Sequence, residues 1–110
     1  MGRYLGDEIM LTLPIKKKWF DMILSGEKKE EYREIKSYYT SRFGWIDDNE
    51  AKIHTFQVSR IIRLKNGYSK NAPTIECRVN ITKDYGKEEW GAEPNKKYFV
   101  LKILSVEEVK

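Results

Sequence analysis

The segment Gly26, Glu27, Lys28, Lys29, Glu30, Glu31, Tyr32 and Arg33 constrains the fold most, because it stands where a strand is required yet offers almost nothing a strand can bury. Gly26 suits the left-handed conformation common just past a helix C-terminus. A helix therefore ends there, and a second helical pattern begins near Ile35, leaving room for one short extended element. Alternation places Lys29, Glu31 and Arg33 on one face and Lys28, Glu30 and Tyr32 on the other, with Tyr32 the one sizeable apolar body. Such a strand is either an edge charged against aggregation or the wall of an ion-rich cleft.

The neighbouring patterns define the elements around it. Ile9, Leu11, Leu13 and Ile15 alternate, which predicts a half-buried strand over 8–15, with Pro14 at an edge or strand end. A helix over 16–25 brings Phe20, Ile23 and Leu24 to one face, widened by Trp19 and Met22. Lys16, Lys17 and Lys18 fall in its first turn, where the helix dipole disfavours cations by about a few tenths of a kcal/mol each. Either a bound anion offsets this, or the lysines are simply solvated.

A second helix over 35–43 aligns Ile35, Tyr38, Tyr39 and Phe43, with Gly44 available to stop it. The stripe is core, unless Tyr38, Tyr39 or nearby Trp45 stays accessible for a base to stack on. In "PTIECRVNIT" the inward set is Ile75, Cys77, Val79 and Ile81, so Cys77 reads as a small buried hydrophobe. In "TFQVSRIIRL" the set Phe56, Val58, Ile62 and Leu64 carries Arg60 inward, so Arg60 must pair with a carboxylate such as Glu31, sit at a bulge or open into a cleft. His54, just before this strand, reads as a surface or strand-end residue. Periodicity fades from Thr82 to Lys97, leaving room for a helical turn near Lys87–Trp90 or a flap, before Phe99, Leu101 and Ile103 alternate in a last strand.

Many strands, few helices and no regular crossovers predict a single α+β domain over 1–110, a mixed sheet rolled into a small barrel. At 40% hydrophobic residues the chain is too apolar for disorder, although 35% of it is charged. No apolar run reaches the length of a membrane span and "MGRYLGDEIM" lacks a signal-peptide core, so no membrane partner and cytoplasmic residence are the expectations. One cysteine and one histidine argue against a structural metal site. The net charge of +4 lies wholly in residues 35–70, where Lys36, Arg42, Lys52, Arg60, Arg63, Lys65 and Lys70 face Asp47, Asp48 and Glu50. That concentration is either a phosphate footprint or an ordinary solvated surface.

The spacing GxKxxExR, formed by Gly26, Lys28, Glu31 and Arg33, resembles the signature of the ASCH domain (activating signal cointegrator homology) of the PUA-like superfamily. The preceding "LTLPIKKKWFDMILSGEKKEEYR", and later "NGYSKNAPTIECRVNI", "EEWGAE" and "YFVLKILSVEEV", resemble small, often phage-associated members, so the resemblance covers about residues 9 to 108. It implies a PUA-like pseudo-barrel flanked by two or three short helices, with a cleft beside the motif strand for RNA or a modified nucleotide. Lys28 and Arg33 then hold phosphate or a base carbonyl, Arg33 with the better two-bond geometry, and Glu31 accepts from a base edge or merely neutralises its cationic neighbours. Lys16, Lys18, Tyr39 and Arg60 complete the expected nucleic-acid-binding set, with no cofactor and no metal.

A hydrolase is the rival expectation. Some small ASCH proteins hydrolyse N4-acetylcytidine with a motif lysine, a threonine and a distant glutamate. Lys28 matches the lysine, but Glu31 stands where the threonine would, and Glu88, Glu89 or Glu93 are the available distant carboxylates. An anionic Glu31 also favours the charged form of Lys28, the wrong state for a base or nucleophile. Other members suggest a ribonuclease, with Lys28 as base and Arg33 stabilising charge on phosphate. A regulatory protein-binding domain is the third class, which exposed Trp45 or Trp90 would favour.

Overall fold

The computed structural model describes residues 10–45 and 58–109. Its elements are β1 (Leu11–Pro14), α1 (Lys17–Leu24), β2 (Glu30–Arg33), α2 (Ser37–Phe43), β3 (Val58–Lys65), β4 (Thr74–Tyr85), a 3₁₀ turn (Glu88–Trp90) and β5 (Lys97–Glu108). The expectations for His54 and Phe56, and for the acidic residues Asp47, Asp48 and Glu50, lie outside the described residues.

The strands form one curled mixed sheet in the order β1-β3-β4-β5-β2. β1 runs parallel to β3, and every other pair is antiparallel. Among the described residues β1 and β2 are therefore the edge strands, and the sheet with its two short helices is an α+β half-barrel. No helix among the described residues is long and apolar enough to cross a membrane.

The alternating sets account for the core. Leu13 from β1, Ile62 and Leu64 from β3, Ile75, Cys77, Val79 and Ile81 from β4, and Phe99 and Leu101 from β5 are all closed to solvent. Phe20 and Ile23 of α1 and Phe43 of α2 close over them, Phe43 meeting Phe99 edge-on at 5.2 Å. Burying each such side chain contributes about 1.5–3 kcal/mol. Leu24 and Tyr38, expected on apolar helix faces, are exposed, and Ile35 lies outside α2 and is exposed too. A two-turn helix has a buried stripe too narrow for all of them.

Four local outcomes follow from backbone accounting. Gly26 takes φ 89° after α1, and the Lys28 amide donates back to the Met22 carbonyl at 2.9 Å. The motif strand consequently starts at Glu30 rather than Gly26, and Lys28 sits in the turn before it. Gly44 stops α2 in the left-handed conformation. Beyond the expected end of the fourth strand, β4 continues to Tyr85, and Lys83 keeps the inward register with its ammonium 5.4 Å from the Trp45 ring and 5.5 Å from the Phe99 ring. A charged residue in an inward position, its ammonium over two aromatic rings, hides the period from a hydrophobicity count.

Candidate functional site

The motif residues converge because β2 starts late. With Lys28 in the turn, its side chain is freed from strand alternation and lies on the same side as Glu31 and Arg33. Its ammonium is 3.2 Å from Glu31 Oε1 and donates to the Trp90 carbonyl at 2.7 Å. Trp19 and Tyr32 flank it, with ring centres 4.9 and 4.8 Å away. Only 1% of Lys28 is exposed, which makes it the largest fully buried side chain among the described residues.

Glu31, itself buried, is held from the other side by Arg33, whose Nε and Nη2 donate to Oε2 at 3.1 and 2.8 Å. Nη2 also donates to the Pro14 carbonyl at 2.8 Å, and Nη1 to the Tyr39 hydroxyl at 3.2 Å. Of the five guanidinium hydrogens, one on Nη1 is left over. Two cations around one carboxylate leave the buried cluster with a net positive charge. Burial lowers the Lys28 pKa and outweighs the opposing pull of Glu31. Glu31 does favour the charged form of the lysine, as expected, but burial is the larger effect, since the cost of desolvating an ammonium grows steeply as water is excluded.

An open cleft of about 480 Å³ lies directly over this cluster. Glu31 and Arg33 form its floor, and Trp19, Tyr39 and Trp90 supply aromatic walls. Lys16 and Lys36 stand on the rim, each immediately before a helix with no side-chain cap. Lys36 lies 3.9 Å from Glu34, which Lys96 also holds at 3.1 Å, whereas Lys16 makes no ion pair among the described residues. The Trp90 wall belongs to the loop between β4 and β5, fastened at three points. Besides the Lys28 bond, the Lys87 amide donates to the Tyr32 hydroxyl at 2.9 Å and the Glu93 amide to the Tyr98 hydroxyl at 3.0 Å. Tyr32 in turn donates to Glu30 at 2.7 Å, and burial raises its pKa.

Of the residues expected to contact nucleic acid, Lys16, Glu31, Arg33 and Tyr39 line the cleft. Lys28 lies beneath it rather than in it. Lys18 is not in the cleft lining, although its ammonium lies 4.6 Å from the ring centre of the wall residue Trp19. Arg60 is away from the cleft: it is half-buried, donates from Nη1 to the Arg42 carbonyl at 2.5 Å, and pairs across the sheet with Val79, beside the β4 bulge at Arg78/Val79. Glu31 is already engaged by two nearer cations and is not the partner of Arg60. Glu88, Glu89 and Glu93 are exposed and outside the cleft lining. Trp19, Lys36 and Trp90 are cleft residues outside the expected nucleic-acid-binding set; in the sequence Lys36 belongs to the basic stretch over 35–70, Trp90 is a candidate protein-binding aromatic and Trp19 is part of an apolar helix face. Cys77 is fully buried and its thiol is pushed up to about 12, in keeping with a packing role.

The chain matches no protein-family model, no curated protein and no solved structure.

Proposed function

We propose that the cleft binds a nucleotide within single-stranded or looped RNA, a modified base included, and that the domain is a binding module of the ASCH type in the PUA-like superfamily. The observation that carries this reading is the coincidence of aromatic walls, rim lysines and a buried carboxylate in one cleft of about 480 Å³, a volume in the range of small-ligand sites and too small for a duplex. A base stacks between Trp19, Tyr39 and Trp90, as unpaired bases do on aromatic rings. Glu31 Oε1 keeps a lone pair for an amino group on the base edge, and Lys16 with Lys36 receives the phosphate.

Binding is favoured over hydrolysis by the position of Lys28. Its lowered pKa is the direction a catalytic lysine needs, yet the ammonium is roofed by Trp19 and Tyr32 and already donates to Trp90 and Glu31. A reacting carbonyl has no approach to it without displacing those partners. Lys28 holds the carboxylate and the Trp90 wall in place.

The test is titration of short labelled RNAs at two salt concentrations. With Lys16 and Lys36 as the two phosphate-facing cations, the logarithm of affinity should fall with the logarithm of salt at a slope of about −1.4. Lys16→Gln should make that slope shallower, and Tyr39→Ala should weaken binding at both salts. Absence of binding at low salt overturns the reading.

A further inference from the structure

Lys16 borders more than the cleft. A second hollow of about 400 Å³ is lined by Pro14, Ile15, Lys16, Asn66, Gly67 and Tyr68, so the two share Pro14, Ile15 and Lys16. The Ile15 amide donates to the Lys65 carbonyl at 3.0 Å, which fastens the end of β1 to the start of the β3–β4 hairpin turn. The turn is closed by the Asn66 amide on the Pro73 carbonyl at 2.9 Å, and Gly67 takes φ 119° inside it.

Tyr68 stands at the tip of that turn and is 89% exposed, the most exposed of the large hydrophobic side chains among the described residues. Along the chain its neighbours carry one sign of charge. No Asp or Glu occurs between Glu50 and Glu76, whereas Lys65 and Lys70 flank the turn and Lys16 faces it across the hollow. An aromatic ring held out in water at a hollow that Lys16 also lines, adjoining an aromatic cleft, has the composition of a stacking platform for single-stranded nucleic acid.

We infer that Tyr68 forms a second nucleotide subsite, so that the protein reads at least two consecutive nucleotides of an RNA strand, with the linking phosphate at Lys16. The inference rests on the nucleotide reading of the first cleft and deepens it: the preferred ligand is an oligonucleotide strand rather than a free nucleotide. Lys16 serves both subsites because it is the cation common to both hollows and precedes the uncapped first turn of α1.

The experiment compares a ribotrinucleotide with the corresponding mononucleotides by calorimetric titration, using the unmodified protein, Tyr68→Ala and Tyr68→Phe. The trinucleotide should bind more tightly than any mononucleotide. Tyr68→Ala should weaken the trinucleotide about tenfold, the loss of one stacked base. It should leave mononucleotide affinity unchanged, and Tyr68→Phe should retain the unmodified affinity. Equal trinucleotide affinity in the unmodified protein and Tyr68→Ala overturns the second subsite while leaving the first cleft intact. Weakening of mononucleotides by the same factor also overturns it, because the effect then acts on the first cleft. Failure of any RNA to bind the unmodified protein overturns both readings together.

Discussion

The Arg33 guanidinium donates to the Pro14 carbonyl at 2.8 Å and so ties the last residue of β2 to the last residue of β1, the two edge strands of the sheet among the described residues. The floor of the cleft is the point where the half-barrel is drawn together. The residues that give the cleft its charge therefore also hold its shape, and substitutions there act on both.

Arg33→Lys should separate these roles from charge alone. A lysine keeps the positive charge but cannot reproduce the paired donation to Glu31 together with the bonds to Pro14 and Tyr39. We expect a loss of about 2 kcal/mol, or on the order of 10 °C in melting temperature for a domain of this size. A melting curve matching that of the unmodified protein would show that the edge bridge contributes nothing.

Lys28→Met removes the ammonium while keeping an apolar stem of similar length. Glu31 retains Arg33, but the Trp90 carbonyl loses its donor. Amide exchange in residues 87–93 should accelerate about tenfold or more, following the loss of a charge-assisted hydrogen bond worth about 1.5–3 kcal/mol. The strands of the core should keep their protection. Unchanged exchange in the loop would deny Lys28 its fastening role.

Gly86→Ala tests how tightly the loop is seated. A Cβ at that position would lie 2.6 and 2.7 Å from atoms of the Tyr32 ring and 2.8 Å from the Ala92 Cβ. Such contacts force the loop or the ring to move, at a cost of about 1–3 kcal/mol. Denaturant unfolding should report this as a lower midpoint, and weaker RNA binding should accompany it because the Trp90 wall shifts.

Cys77 gives a pH dependence whose sign is fixed by burial. Its thiol is raised from 9.0 to about 12 in the folded protein, so above about pH 9 the unfolded chain loses the proton while the folded one keeps it. The unfolded state then binds fewer protons, and stability falls as pH rises, by up to about 1.4 kcal/mol per pH unit from this group. Comparing unfolding free energies at pH 8 and pH 10 should show a smaller alkaline loss in Cys77→Ala than in the unmodified protein. Equal slopes would mean that the thiol does not contribute.

Patterns that repeat along the chain were legible from the sequence by itself. Leu11 and Leu13, the run Ile75 to Ile81, and Phe99 with Leu101 declare which side of each strand is buried, because a period of two leaves one consistent face. Phe20 with Ile23, and glycines at 26 and 44, likewise mark two short helices and their ends. The motif Gly26, Lys28, Glu31, Arg33 was visible as an excess of charge in a place that demanded a strand, so the polar centre could be located in advance.

What the tertiary structure decided was how those charges are shared. Strict alternation put Lys28 on the wrong face, and only the turn held by its amide on the Met22 carbonyl brings it beneath Glu31. Arg33 reaches Pro14, and Lys28 reaches Trp90, across separations of 19 and 62 residues, and such long-range partners leave no local signature. Arg60 follows an inward register yet finds its acceptor in the carbonyl of Arg42 rather than in the cluster. Hydrophobic period is a property of neighbours along the chain, whereas the pairing of a buried charge depends on which backbone carbonyls and carboxylates the curled sheet delivers to it.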